Sequence, residues 1–454
     1  MAAVEHGAKL PVLNMPDVLR DPVAALAGRE VPVTLLQQRA TSFLQRCHVC
    51  LAPESARHRG TPPAVSQPTL LFHASDRQPP CGTAILRGHV YWASRSAALY
   101  AQRHAYEYAF IDTSRPVAEL VQAPAKRPAM PVHFPFAVVV AQFSKSALLL
   151  ALAIEGPWKQ LMYLDDDAGF VSPMLAPSLP AIFGGVSTHL CSGKGVSIDE
   201  LATSRSLDGT TAVIKSLYYE KMHPLEPQVV SARVPRLMLA AAQPNVWDGS
   251  LKWCSACAAR ARHWPLRGWV DDCPVNSGMV LVGTCPAAQH LLAAWSALSP
   301  ANGECAAMIN WRPSINASVK EAEDIARTPT DLRQEGHPLR VCPCSVRCKD
   351  QHALNSLLEN EFLGSAIVVN DALVNGKLFA DGSTPKYIQH VWCGSGHESS
   401  KEVCSKTRNA TAFSWLGEAA EDPGLDELVP RAISWKEALL LVRARHDRRR
   451  VVML

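Results

Sequence analysis

An α/β protein, built on a mainly parallel sheet with helices on both faces, is what this 454-residue sequence predicts. Two observations carry the prediction. From Thr69 onward, apolar runs of strand length alternate with stretches of helical periodicity, the pattern of strands joined by crossover helices. One of those runs, Leu161 to Leu164, holds neither Gly nor Pro and empties into Asp165, Asp166 and Asp167, with Gly169 and Pro173 close behind. A continuous apolar run is the mark of a strand buried on both faces, and ligands bind beyond the carboxyl ends of such strands. Three adjacent carboxylates repel one another unless solvent or a cation screens them. Oxygen ligands suit Mg²⁺ or Mn²⁺, ions that commonly hold substrate phosphates. A solvated acidic turn is the alternative for the same three residues.

Taken in order, residues 1–66 form an N-terminal extension and linker with weak periodicity and no obvious place in a sheet. Within it, Val31 to Cys47 is compatible with a short helix, and Ser55 to Pro68 reads as the linker. The main domain, 67–400, opens with the strand Thr69–Ser75 and the loop Asp76–Gly82. Between Tyr91 and His104 the spacing of Trp92, Ser96, Leu99, Tyr100 and Arg103 predicts a helix with one buried stripe, and Tyr106 to Ile111 alternates like a strand. Phe136 to Ala141 is a further apolar stretch, and Ser144 to Ile154 a helix carrying Lys145, ahead of the strand that ends at Asp165.

From Lys194 to Gly268 the regularity loosens. Pro224, Pro227, Pro235 and Pro244 and the segment Trp247–Trp253 suggest an insertion, 194–268, on the acceptor side of a site. A polar turn containing Asn276, Ser277 and Gly278 then feeds a buried strand, and Pro286 opens a helix with Leu291, Leu292, Trp295 and Leu298 on one face. Asp350 stands where a helix N-cap would stand, followed by Gln351 and an apolar stripe. Tyr387 to His397 is a short apolar segment leading to His390 and a loop with Gly394 and Gly396. In the C-terminal tail, 401–454, the capping box Ser434-x-x-Glu437 precedes a Leu-rich helix.

Composition excludes little but is informative. Hydrophobic residues make up 48% of the chain and charged residues 19%, with a net charge of +4. At whole-chain level nothing demands nucleic acid or an anionic membrane as partner; the concentrated basic run is Arg443 to Arg450. No apolar run approaches the roughly 20 residues that span a bilayer, and Met1 to Gly7 lacks the charged start and apolar core of a secretory signal. Fourteen cysteines are nevertheless numerous for a reducing compartment. Asn316-Ala-Ser318 and Asn409-Ala-Thr411 match the N-glycan acceptor pattern. Cys47-x-x-Cys50, Cys254-x-x-Cys257 and Cys342-x-Cys344-x-x-x-Cys348 are each compatible with half a zinc site, with disulfides or with buried thiols.

The order of motifs is more specific than any one of them: Asp165-x-Asp167 after a strand, then Asn276-Ser277-Gly278, then Asp350-Gln351, then His390 beside a Gly loop. It resembles a nucleotide-sugar glycosyltransferase of the GT-A fold, and the nearest family is the galactosyl/xylosyltransferases, glycosyltransferase family 34. The resemblance runs from about Leu70 to His397 and includes Tyr100-Ala-Gln-Arg-His104-Ala-Tyr106. It implies that Asp165, Asp167 and His390 ligate a divalent metal, Mn²⁺ or Mg²⁺, on the diphosphate of a UDP-sugar. It also implies that Asp166 faces the sugar or ribose, with Asn276, Ser277, Gly278, Gly394 and Gly396 around the donor. Asp350 and Gln351 would orient donor or acceptor hydroxyls during transfer.

The implied reaction moves xylose or galactose to a glycan or glycoprotein acceptor with retention of configuration, in the Golgi lumen or another secretory compartment; a cytoplasmic location stays open. Lys145, Lys386 and Lys401 are candidate cations for the diphosphate. The insertion and the absence of a visible membrane anchor depart from the family pattern. Two rival readings stay open. One is a haloacid dehalogenase-type phosphohydrolase, with Asp271-Asp272 as its second acidic pair. The other is a degenerate transferase that binds a nucleotide or glycan without turnover.

Overall fold

The computed structural model describes residues 33–52, 68–76, 89–122, 136–210, 212–216, 233–234, 237–242, 275–299, 350–359, 362, 365–370, 373–376, 386–390 and 432–452. Helix α1 (Val33–Gln45) leads into strand β1 (His48–Leu51). Next come β2 (Thr69–Ser75), α2 (His89–His104), β3 (Glu107–Asp112), α3 (Ser114–Gln122), α4 (Phe136–Glu155) and β4 (Gln160–Leu164). The chain continues through β5 (Ala168–Phe170), α5 (Leu179–Ile182), β6 (Val196–Ser197), α6 (Ile198–Thr203), β7 (Val213–Ser216), β8 (Arg233–Val234) and β9 (Leu239–Ala242). It closes with β10 (Asn276–Gly283), α7 (Pro286–Ala297), α8 (Asp350–Glu359), β11 (Ala366–Val369), β12 (Val374–Gly376), β13 (Ile388–His390), β14 (Ile433–Ser434) and α9 (Trp435–Val452).

Nine strands make one sheet in the order β14-β1-β3-β2-β4-β10-β9-β11-β7. The sheet is mixed: β14, β3, β2, β9 and β11 run with β4, whereas β1, β10 and β7 run against it. The expected α/β architecture with a predominant strand direction is therefore present. The reversal of β10 beside β4 is its most consequential feature, because it brings the start of β10 to the carboxyl end of β4.

Period-two alternation decides what each face buries. On β2, Leu70, Phe72 and Ala74 join the core under α1, α4, α7 and α9, whereas Leu71 joins the opposite core with α2 and β5. Helices therefore cover both faces. The apolar stretch from Phe136 and the helix expected from Ser144 are one helix, α4. No Gly or Pro interrupts its 20 residues, so nothing ends it early. Leu148, Leu149, Leu150, Ala151 and Leu152 at its centre are fully buried.

Three boundaries differ from the sequence reading. Residues 1–66 were expected to have no place in the sheet, yet β1 pairs with β3, and Leu36, Ala40, Phe43 and Leu44 of α1 belong to the core. The segment 194–268 was expected as an insertion, yet β9 pairs with β10 and β11, and β7 with β11, so part of it is central sheet. The tail also returns: β14 pairs with β1, and the Glu107 carboxylate meets the Arg445 guanidinium at 2.9 Å. Short strands without strong alternation carry no local signal of pairing, and only burial against neighbours fixes them. The predicted cap is present, with the Glu437 amide donating to Ser434 Oγ at 3.3 Å.

A disulfide joins Cys191 to Cys285. It sits at the end of β10 remote from Asp165, where Gly283 pairs with Gln160. Cys50 is also disulfide-bonded and Cys47 is a buried free thiol, so this Cys-x-x-Cys is not half of a zinc site. The other cysteine clusters, both sequons, the Trp247–Trp253 segment and the Asp271-Asp272 pair lie outside the described residues. No helix among the described residues is long and apolar enough to cross a membrane.

Candidate metal centre

The end of β4 is shaped by its neighbours on both sides. The Asp165 amide donates to the Gly278 carbonyl at 2.8 Å, and the Ala168 amide donates back to the Asp165 carbonyl at 2.8 Å. That second bond closes a tight turn over the three aspartates and sends the chain into β5. Strand β5 pairs antiparallel with β13, with Ala168 opposite His390. Through this pairing a histidine far down the chain arrives beside the acidic pair. His390 Nε2 lies 2.8 Å from Asp167 Oδ1 and 3.7 Å from Asp165 Oδ2. One ligand atom from each of Asp165, Asp167 and His390 falls within 4.8 Å of the others, a group that could hold a metal ion.

Strand β10 leaves the space for that ion. A Cβ built on Gly278 would stand 2.6 Å from Asp165 Oδ2, 2.8 Å from His390 Cε1 and 2.9 Å from Asn276 Oδ1. Any side chain here would fill the gap between two of the three ligands. Asn276 holds the turn by accepting from the Gly278 amide at 2.6 Å. Two carboxylates and an imidazole suit Mn²⁺ better than Mg²⁺, which prefers an all-oxygen shell.

Behind the acidic pair lies a buried cation. Lys145, from the middle of α4, places Nζ 2.9 Å from Asp165 Oδ1 and 3.0 Å from Asp350 Oδ2. Burial disfavours its charge, but the two carboxylates outweigh that penalty and hold its pKa above the usual lysine value. Tyr163 donates to the same Asp165 Oδ1 at 2.8 Å. Burial and then the nearby carboxylates push the Tyr163 pKa well up, so the hydroxyl stays protonated and remains a donor. Ser277 Oγ donates to Asp350 Oδ2 at 2.5 Å, and the Trp295 indole donates to the Asp350 carbonyl at 2.8 Å. Asp350 is thus the first residue of α8, with its carboxylate turned into the site and not capping its own helix.

The remaining predicted residues separate cleanly. Asp166 points across to β2 and accepts from Ser75 Oγ at 2.8 Å. Gln351 sits in the first turn of α8, half-buried, with its carbonyl accepting from Asn355 Nδ2 at 2.7 Å. Gly394 and Gly396 lie outside the described residues, as does Lys401. Lys386 is exposed and ion-paired with Asp208. Lys145, one of three candidate cations for a diphosphate, is instead ion-paired with Asp165 and Asp350. Tyr163 was not singled out at all. Its signal was present, because a residue two positions before Asp165 on a strand shares its face.

His73 supports the turn from the opposite face. Its ring accepts from the Tyr108 hydroxyl at Nδ1, 3.0 Å, and donates from Nε2 to the Ala168 carbonyl, 2.8 Å. Burial lowers its pKa to about 4, so the ring is neutral and each nitrogen has a fixed role.

No protein-family model matches the chain, and no curated protein matches it. Fold and site together define an α/β protein with a mixed central sheet and a carboxylate–imidazole group, able to hold a metal ion, at the carboxyl end of a central strand.

Proposed function

We propose that the protein is a metal-dependent glycosyltransferase of the GT-A fold. It would move xylose or galactose from a UDP-sugar to a glycan or glycoprotein acceptor with retention of configuration. The observation that carries this reading is the meeting of Asp165, Asp167 and His390 in one group at the carboxyl end of β4, the crevice where open α/β sheets bind ligands. The resemblance in motif order supplies the reaction class, and the same motifs converge in space: Asn276-Ser277-Gly278 and Asp350 border that group.

In this reading Asp165, Asp167 and His390 would hold Mn²⁺ or Mg²⁺, which when bound offsets the negative charge that develops on the leaving diphosphate. The residues of the chain do the positioning. Asp167 and His390 are buried side by side, 2.8 Å apart, so an ion that enters between them would replace that contact and need little other rearrangement. Asp166, which accepts from Ser75 Oγ at 2.8 Å, would face a sugar or ribose hydroxyl. Asp350 uses Oδ2 for Ser277 and Lys145, so a donor or acceptor hydroxyl would be oriented by its other oxygen, with Gln351 beside it. The disulfide between Cys191 and Cys285 supports an oxidising compartment such as the Golgi lumen.

The test is nucleotide release from a panel of UDP- and GDP-sugars, with a glycan acceptor mixture, in Mn²⁺ and in EDTA. UDP release confined to UDP-xylose or UDP-galactose and abolished by EDTA supports the reading. Mg²⁺-dependent hydrolysis of phosphate monoesters with no sugar transfer would replace it with a phosphohydrolase, and UDP binding without turnover with a binding module.

A further inference from the structure

We propose that Lys145 and Tyr163 form a clamp that reserves a single oxygen of Asp165 for the metal, and so makes the centre select a small six-coordinate ion such as Mn²⁺ against Ca²⁺. The inference rests on the metal centre described above and adds how that centre discriminates between ions.

A carboxylate oxygen has two lone pairs to offer. On Asp165 Oδ1 both are used, by the Tyr163 hydroxyl at 2.8 Å and the Lys145 ammonium at 2.9 Å. Oδ2 is the oxygen that faces His390 Nε2, at 3.7 Å, and the gap kept open by Gly278. Bidentate coordination by Asp165 would require Oδ1 to give up two bonds, one of them charge-assisted and both from buried groups. Such bonds cost far more to break inside a protein than in water.

The clamp is anchored away from the metal. Tyr163 is fixed on β4 and packs edge-on against Phe72, with ring centroids 5.4 Å apart. The Lys145 ammonium lies 5.0 Å from the centre of the Tyr163 ring and is held also by Asp350 Oδ2 at 3.0 Å and the Ser277 carbonyl at 3.4 Å. Neither side chain belongs to the metal-ligating group; both are positioning residues that act through Asp165.

Selection follows from what each ion requires. Calcium takes about 6–8 oxygen ligands and commonly accepts carboxylates in bidentate fashion. Mn²⁺ is satisfied by about six ligands and tolerates an imidazole among them, whereas Ca²⁺ is a hard ion that takes oxygen. An Asp165 limited to one oxygen, beside His390, withholds the extra ligand that Ca²⁺ needs.

The experiment measures metal binding by the full chain, without substrate. Free Mn²⁺ is read by electron paramagnetic resonance, and Ca²⁺ competes for the same site. In the wild type Mn²⁺ should bind at least about tenfold more tightly than Ca²⁺. Tyr163→Phe, which removes one donor and keeps the ring packing, should narrow the Mn²⁺/Ca²⁺ ratio about tenfold, within the range seen when a group supporting a metal ligand is lost. Lys145→Met should narrow it further. If Tyr163→Phe binds Mn²⁺ with an unchanged ratio, the clamp is refuted while the metal centre stands. If the wild type binds no Mn²⁺, the metal centre and the clamp fall together.

Discussion

Gly278 and Asp165 approach so closely that any side chain at position 278 displaces a carboxylate of the site: a Cβ there would lie 2.6 Å from Asp165 Oδ2. The Asp165 carboxylate has no freedom to retreat, since Tyr163 and Lys145 hold its other oxygen. Gly278→Ala should therefore leave the chain folded but lower Mn²⁺ affinity by about 10–100-fold, the scale typical when groups around a metal ligand are disturbed. Mn²⁺ titration by calorimetry on the purified variant decides it, with wild-type affinity as the refuting result.

Asp167→Asn and His390→Ala remove ligands from the same group. Both should abolish or strongly reduce Mn²⁺-dependent UDP release, and His390→Ala should shift the Mn²⁺ titration to higher concentration. Near-ultraviolet circular dichroism should stay unchanged for Asp167→Asn. Wild-type rates in both variants would show that this group does not hold the metal that the reaction needs.

His73 ties β2 to the turn and titrates inside an accessible range. Its folded pKa is about 4, pulled down by burial, against about 6.5 when unfolded. Between those values the unfolded chain holds a proton that the native ring does not, so stability falls as pH falls. The contribution is fully present above about pH 6.5 and lost by about pH 4, a change on the order of 3 kcal/mol. Urea unfolding at several pH values should show this slope in the wild type and a shallower one in His73→Gln, whose side chain does not titrate.

Arg445 and Glu107 join α9 to the start of β3, with Glu107 almost wholly buried. Arg445→Met would take the guanidinium away from that buried carboxylate and should lower the unfolding free energy by about 3 kcal/mol. The pair lies at the amino end of the parallel strands, opposite Asp165, so Mn²⁺ affinity should not change. Equal urea midpoints for variant and wild type would show that Glu107 finds another partner.

How much of this was legible beforehand differs by element. The strands Thr69–Ser75, around Tyr106–Ile111 and Leu161–Leu164 and the helices from Tyr91, Pro286 and Asp350 were visible as local periodicities, and they are β2, β3, β4, α2, α7 and α8. Strands β1, β7 and β9 were not visible. Each is four residues long, and their place comes from pairing with distant partners. At the site, Asp165 and Asp167 were evident from their position after a buried run. Lys145 stood out only as a cation in an apolar helix, and its partners could not be read because α4, β4 and α8 meet only in the folded chain.

By itself the sequence determined the alternation of apolar runs, the acidic end of one of them and the order of the motifs that follow, because each depends on residues near one another in the chain. Tertiary structure alone decided that β10 runs against β4, that β13 lays His390 beside Ala168, and that Lys145 lies behind Asp165. A metal centre needs donor atoms within a few ångströms of one point, and here they come from segments that only strand pairing and burial bring together. The acidic triplet was a local fact; that Asp165 and Asp167 gather with His390 while Asp166 turns to Ser75 is a property of the packed molecule.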